Sequence, residues 1–303
     1  PVTVDEFRFG PGETYDVMVE PQDDAYTIFA QSMERSGYAR GTLSVRQGLT
    51  APVPEPDSPE WLTMKDMMGA MGGGAMGHDM MKMDSMGQTK MDHSQMSGGM
   101  AMDHSMHGMQ QGSDNPLAKP SSTIRHARTE YGASVDQRVD TPSTNLDDPG
   151  IGLRNLSQRG LRPQGHRVLT LADLQSIDGV LDDRRPPARE LELHLTGNME
   201  RYSWSFDGLE FGKSTPVSLR HNERVRIILQ NDTMMTHPMH LHGMWSELET
   251  DQGELRVRRH TIPVQPAQRI SFLTTPHDLG RWAWHCHLLF HMDAGMFREV
   301  VVS

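Results

Sequence analysis

Apolar and polar positions alternate in short stretches near both ends of the chain. In the first part, strand-like patterns cover residues 15–19, 26–30 and 41–45, and turn signals such as Gly10-Pro11-Gly12 separate them. Three or four short strands are too few to close a β-sandwich. We therefore expect residues 1–48 to complete a domain whose earlier strands lie upstream, which would make this sequence a C-terminal fragment of a longer protein.

The last third of the chain contains a longer series of short apolar stretches with frequent turns between them. This pattern predicts an all-β fold, a Greek-key sandwich over residues 188–303 with hardly any helix. The strand-like stretches are 191–195, 202–206, 225–229, 269–273 and 297–302.

Residues 49–120 have a different composition. Four prolines between Pro52 and Pro59 open the segment, and no Phe, Tyr, Trp or Val occurs from Leu62 to Glu130. So few large apolar groups cannot offset the entropy of ordering, which predicts a disordered insertion. Residues 121–187 form a connecting segment with one short helix predicted over 170–176.

Methionine is concentrated in the insertion, where 15 of the 24 methionines lie between Met64 and Met109. Thioethers are soft ligands suited to Cu(I), so the segment is a candidate for copper loading. A linker of biased composition, or a Met-lined contact surface, is the alternative.

Charge and cysteine content exclude several classes of partner. The chain has 40 acidic and 29 basic residues, a net charge of -11, and no Lys/Arg run to bind phosphates, so nucleic acid is not an expected partner. The sequence has no stretch of about 18 apolar residues, so it predicts no transmembrane segment. Cys286 is the only cysteine, and no disulfide can form within the chain.

Two motifs carry the chemistry: residues 237–243, His-Pro-Met-His-Leu-His-Gly, and residues 285–296, which begin His-Cys-His. A blue-copper site needs two imidazoles, a thiolate and a weak axial thioether. This set is supplied by His237, Cys286, His291 and Met296. The last three come from one short stretch, predicted as a strand end followed by a loop.

The histidines beside the cysteine point to a second group of metal ligands. In an extended segment, His285 and His287 share one face and Cys286 points to the other. His240 and His242 repeat the same two-residue spacing. One tripeptide can therefore contact two metal centres, and a chance cluster of structural histidines is the improbable alternative.

The two motifs resemble those of the multicopper oxidases, in particular the bacterial periplasmic copper-resistance oxidases related to laccase. The stretches 128–132 and 146–150 and the Met-rich insertion are similar to that subgroup. The resemblance implies a cupredoxin fold, with residues 1–46 ending the family's second domain and 188–303 forming its third. It also implies type 1 copper at His237, Cys286, His291 and Met296, type 2 copper at His240, and a type 3 pair at His242, His285 and His287.

The function implied is that of a periplasmic oxidase in copper resistance. A small-molecule reductant, Cu(I) or a phenol, gives electrons to type 1 copper, and Cys286, His285 and His287 lead them to a trinuclear cluster that reduces O2 to water. The family's cluster takes eight histidines, of which this chain has four. The alternative is a non-catalytic copper-binding or electron-transfer cupredoxin, which has no use for the four histidines. The isolated histidines receive no role: His126, His166, His194, His221, His260 and His277.

Overall fold

The computed structural model describes residues 1–63, 66, 117–177 and 181–303. The predicted disorder and copper loading of the Met-rich segment between Met64 and Met109 fall almost wholly outside these residues. The limits of the four predicted segments, 1–48, 49–120, 121–187 and 188–303, stay a prediction.

The N-terminal part contains one antiparallel hairpin of strands β1 (Ala25–Gln31) and β2 (Tyr38–Ser44), with Ile28 opposite Gly41. Both predicted strands are therefore confirmed: 26–30 to within one residue at each end, whereas the strand predicted over 41–45 begins three residues earlier and ends one residue earlier than predicted. The strand predicted over 15–19 is wrong: these residues pair with no described strand, and Val17, Met18 and Val19 are exposed. Apolar alternation alone does not make a strand where the backbone groups find no partner strand.

The C-terminal part folds into two sheets. The strands are β3 (Arg189–Asn198), β4 (Ser203–Phe206), β5 (Val217–Leu219), β6 (Val225–Asn231), β7 (His237–Leu241), β8 (Ser246–Glu249), β9 (Leu255–Arg259), β10 (Thr261–Val264), β11 (Arg269–Thr274), β12 (Gly280–Cys286) and β13 (Phe297–Val302). One sheet has the order β10-β7-β12-β13-β5 and the other β4-β3-β6-β11-β8-β9. All pairs are antiparallel except β3 with β6 and β13 with β5. The predicted all-β, cupredoxin-like sandwich is confirmed.

The core lies between the two sheets and is built on aromatic residues. Trp284 of β12 contacts Phe206 and Phe272 of the opposite sheet, with ring centroids 5.5 and 6.3 Å apart. All three side chains are buried. Large aromatic side chains contribute much of the apolar burial in a core. This packing anchors β12, the strand that ends at Cys286.

Helical structure among the described residues is confined to short turns. One α-helix, α1 (Leu289–Asp293), follows β12, and 3-10 turns occur at Arg128–Tyr131 and Leu171–Asp173. The helix predicted over 170–176 is thus reduced to one turn, because Asp173 caps the backbone N–H of Thr170 and Leu174 is already extended. None of the helices described here is long and apolar enough to cross a membrane.

Candidate metal centre

Two neighbouring strands bring the histidine motifs together. In the antiparallel pair of β7 and β12, His240 lies opposite His285 and Met239 opposite Cys286. After β12 the chain forms α1, where a loop was predicted, and this turn carries His291 back to the strand end. The sequence-distant motifs therefore meet at one end of the five-stranded sheet.

On one face of β12, three side chains converge on a common point. Cys286 Sγ lies 3.6 Å from His237 Nδ1 and 3.7 Å from His291 Nδ1, and the two nitrogens are 3.1 Å apart. The centre of this triangle is about 2 Å from each atom, close to the length of a metal bond to imidazole. All three residues are buried. The donor set and its spacing fit a copper ion.

Hydrogen bonds of Thr233 define which nitrogen of His237 faces this point. The Thr233 hydroxyl lies 2.7 Å from His237 Nε2 and donates its hydrogen to Asn231 Oδ1 at 2.8 Å. It must then accept the Nε2–H of His237, which leaves Nδ1 with a free lone pair directed at Cys286 and His291. No feature of the sequence pointed to Thr233, since a threonine four residues before a histidine is common.

Burial sets the protonation of the three donors. It lowers the pKa of His237 well below its usual value and that of His291 to about 4, so both imidazoles are neutral at neutral pH. Burial also raises the pKa of the Cys286 thiol to about 12. A bound metal ion would have to displace the thiol proton, as expected for a thiolate ligand.

Met296 is completely buried beside the same three residues. Its backbone N–H donates to His291 O at 2.9 Å, and its carbonyl accepts the Cys286 N–H at 3.1 Å. The turn before it depends on Gly295, whose φ of 119° favours glycine. The backbone thus brings the predicted axial ligand to the trio.

The opposite face of β12 gathers the other four histidines. His242 Nε2 and His285 Nε2 are 3.1 Å apart. The ring of His240 lies 5.7 Å from that of His285 and 5.6 Å from that of His287, which is itself 5.6 Å from His285. Cys286 points away from this group, as the alternation of a strand predicts.

The free nitrogens of this group fit a metal cluster. His240 Nδ1 lies 2.8 Å from the carbonyl of His260, so its Nε2 is the atom available to a ligand. The Nδ1 atom of His287 is buried with no hydrogen-bond partner in the described part of the chain. A buried polar atom without a partner is costly, and coordination to a metal would satisfy it.

Comparison with known proteins identifies the family of this chain. The family profile named "Multicopper oxidase" matches residues 184–303. Copper resistance protein A of Escherichia coli is 50% identical over 326 residues, which cover 100% of this chain and 50% of that protein. The chain belongs to the multicopper oxidases. A Copper resistance protein A homolog of Pseudomonas syringae pv. tomato is 48% identical, with coverage of 100% and 49%.

This multicopper oxidase chain spans about half the length of the curated relatives that it matches. Among solved structures, a multicopper oxidase from Campylobacter jejuni aligns at 21% identity with a TM-score of 0.36, over 41% of this chain and 31% of that one. Copper is the metal that this family uses.

In this multicopper oxidase chain, the N-terminal segment packs directly on the four-histidine group. Gly12 has φ of 81°, and a Cβ added there would lie 2.5 Å from His287 Cδ2. Thr261 donates its hydroxyl hydrogen to the Gly12 carbonyl, and Arg259 pairs with Glu13 at 2.7 Å. A cavity of about 510 Å³ also borders His240, His242 and His260. The N-terminal segment therefore covers His287, whereas His240 and His242 line a cavity.

Proposed function

We propose that this chain supplies half of the copper machinery of a periplasmic oxidase that acts in copper resistance. A small-molecule reductant, Cu(I) or a phenol-like compound, would give electrons to type 1 copper, and a trinuclear cluster would reduce O2 to water. The observation that carries the proposal is that Cys286 forms a buried trio with His237 and His291, while the histidines on either side of it face a second group. Two of the curated relatives are called Copper resistance protein A, which supports the biological setting.

The type 1 assignment goes to His237, Cys286, His291 and Met296. Its support is the triangle of two nitrogens and one sulfur, the neutral imidazoles, and the complete burial of Met296. Thr233 orients His237, and α1 fixes His291 relative to Cys286. These residues define the coordination geometry before any metal binds.

The second assignment places type 2 copper at His240 and the type 3 pair at His242, His285 and His287. The ring distances and the unpartnered Nδ1 of His287 support it. Because the resemblance implies eight histidines for a finished cluster, these four make half of it. The backbone of residues 285–287 links both metal groups by covalent bonds, which gives His285, Cys286 and His287 their catalytic role.

The alternative is a copper-binding or electron-transfer protein without oxygen chemistry. That function needs only the trio with Met296, and it leaves the buried Nδ1 of His287 without a purpose. The four-histidine group therefore favours the oxidase.

Two variants test the proposal. Copper-loaded wild-type protein should be intensely blue, and Cys286→Ser should lose the colour and about one copper per chain. An unchanged visible spectrum in Cys286→Ser would reject the type 1 assignment.

His287→Ala tests the other group, in protein that contains both halves of the cluster. It should keep the blue band but contain less copper and consume O2 at least tenfold more slowly. Undiminished O2 consumption in His287→Ala would reject the assignment of His287 to the cluster, whereas a wild-type protein that consumes no O2 would favour the electron-transfer alternative. His221→Ala, an exposed histidine of the β5–β6 turn, is the matched control for both measurements.

A further inference from the structure

A second cluster of metal-binding side chains lies outside the copper motifs. His126 precedes the 3-10 turn that carries Glu130, His194 lies in β3, and Asp232 follows β6. One donor atom from each of the four lies within 4.8 Å of the others. Three separate segments of the chain therefore direct nitrogen and oxygen donors at one point.

The individual distances define a closed four-atom ring. His126 Nδ1 lies 2.7 Å from Glu130 Oε2 and 3.5 Å from Asp232 Oδ2. His194 Nδ1 lies 2.8 Å from the same Asp232 oxygen and 3.3 Å from the same Glu130 oxygen. Each imidazole thus faces both carboxylates through its Nδ1 atom.

The second oxygen of each carboxylate is held by groups outside the ring. Glu130 Oε1 accepts the Ala127 N–H at 2.8 Å, and Asp232 Oδ1 accepts hydrogen bonds from Val139 N–H and from the Gln230 amide. These bonds orient Oε2 and Oδ2 inward. The carboxylates therefore offer fixed, monodentate donors rather than freely rotating groups.

The outer nitrogens of both histidines face further carboxylates. His194 Nε2 lies 3.1 Å from Glu192 Oε1. His126 Nε2 lies 3.4 Å from Asp140 Oδ1, although it is buried without a hydrogen bond of normal geometry. A carboxylate behind a histidine is the usual arrangement at metal sites, because it fixes the tautomer and leaves the other nitrogen for the ion.

Burial makes the charge balance of the ring important. The side chains of Glu130 and Asp232 are both 0% exposed, that of His194 is 1% exposed and that of His126 is 8% exposed. Two buried carboxylates need two positive charges close by. A divalent cation bound by neutral imidazoles provides both charges at the centre of the ring.

We propose that His126, Glu130, His194 and Asp232 bind one divalent first-row transition-metal ion, with Zn²⁺ as the representative of the class. Two imidazole nitrogens and two carboxylate oxygens are donors that such ions accept in four-coordinate sites. The ion would join residues 126–130 of the connecting segment to β3 and the end of β6. It is distinct from the copper groups, although Asp232 directly precedes Thr233.

Protons are the competing occupant of the ring. Without a metal, burial opposes protonation of His194, but the hydrogen bonds that His194 donates to the carboxylates of Asp232, Glu130 and Glu192 outweigh it and raise the pKa of His194 to about 11. The His194 imidazole would then carry a positive charge inside the ring. Metal binding and protonation exclude each other at Nδ1, so the two occupants are distinguishable.

The test is metal analysis of the chain after saturation of its copper sites, followed by exposure to a small excess of Zn²⁺ and removal of free ions. Wild type should retain about one more zinc per chain than His126→Gln or Asp232→Asn. His166→Gln is the matched control, because His166 also pairs with a carboxylate, Glu6 at 3.1 Å, but belongs to no such group in the part of the chain that the structure describes. It should retain as much zinc as wild type.

Copper content is measured in the same samples. A loss of one copper from both variants, with zinc unchanged, would support the site with copper as its occupant. Equal zinc and equal copper in wild type and both variants, with native circular dichroism, would overturn the proposal in favour of protons. Because Asp232 is fully buried and its substitution could unfold the chain, His126→Gln at the edge of the ring provides the decisive comparison. X-ray absorption of the retained zinc should show only nitrogen and oxygen ligands, whereas sulfur would place it at Cys286 instead.

Discussion

The indole of Trp204 lies nearly parallel to the imidazole of His291, with ring centroids 4.1 Å apart and 27° between the planes. Trp204 is fully buried, and its ring centroid is 5.1 Å from that of His237. It therefore packs against both imidazoles of the Cys286 trio. Its indole N–H has no described partner, so its contribution comes from packing rather than from hydrogen bonding.

We expect Trp204→Leu to destabilise the folded protein by about 2–4 kcal/mol, since it leaves a cavity beside His291. Trp204→Phe should cost less because an aromatic face remains. Denaturant unfolding measures the stability, and the visible spectrum of the copper-loaded protein should be shifted or broadened more in Trp204→Leu. Trp245→Leu, at an exposed position, serves as the control. Equal effects of the two Trp204 substitutions would contradict a role for aromatic stacking.

Thr233→Val should weaken copper binding at the trio, because it removes the acceptor that holds the Nε2–H of His237. The loss of one buried hydrogen bond predicts about a fivefold to hundredfold lower affinity. Competition with a Cu(II) chelator, followed by the blue band, measures it. Thr236→Val is the matched control, since the Thr236 hydroxyl is buried without a partner among the described residues. If both substitutions had the same effect, the orienting role of Thr233 would be wrong.

Gly12→Ala should loosen the N-terminal segment from the four-histidine group. The substitution combines the strain of a positive φ, about 1–2 kcal/mol, with a steric conflict against His287. Gly48→Ala provides the control, because Gly48 has a similar φ of 90° with no atom near its added Cβ. Limited proteolysis should cleave the first residues faster in Gly12→Ala only. Similar cleavage in both variants would mean that strain, and not contact with His287, is responsible.

The ion pair of Asp57 and Arg162 should give part of the stability a specific pH dependence. Hydrogen bonds from Arg162, with burial opposing, lower the pKa of Asp57 below its usual value of 3.8. A lowered pKa means that the folded state binds fewer protons, so the contribution is full above about pH 4 and is lost as the pH falls.

Asp57→Asn should therefore lower the melting temperature at pH 7, by an amount corresponding to about 1 kcal/mol for a partly exposed pair. The difference from wild type should shrink below pH 4. Asp23→Asn, at an exposed position just before β1, should change neither the melting temperature at pH 7 nor its dependence on pH. A difference that stays constant down to pH 2 would point to lost packing instead of lost charge.

Much of the fold followed from local patterns in the sequence. The strand at Phe297–Val302 was predicted to the residue, and Tyr26–Ala30 lies inside β1, because apolar alternation there coincides with available partner strands. The same pattern at 15–19 failed, since pairing depends on neighbours that a local pattern does not specify. α1 was also missed: its five residues are too few for a periodic signal.

The two histidine motifs were visible in the sequence because strand alternation converts residue spacing into facing direction. Cys286 and His285 had to point opposite ways once the segment was extended, and the structure has them so. His126 and His194 could not be paired in this way, since 68 positions separate them and only folding brings them together. His126 and Glu130 lie four residues apart, a spacing that indicates two of the four ligands. The same spacing is common in helical turns, so it does not predict a metal site by itself.

The pairing of β7 with β12 also limits how the chain can change in length. His240 faces His285 across the two strands, and Cys286 is one step further along. A deletion of one residue inside either strand would turn every side chain beyond it to the opposite face and exchange the cysteine for a histidine. Insertions and deletions should therefore be tolerated in the connections at 250–254 and 275–279. Within 237–242 and 280–287 they should abolish the arrangement of the metal-binding side chains. Libraries built to vary this protein can use that boundary, with free length in the turns and fixed length in the two strands.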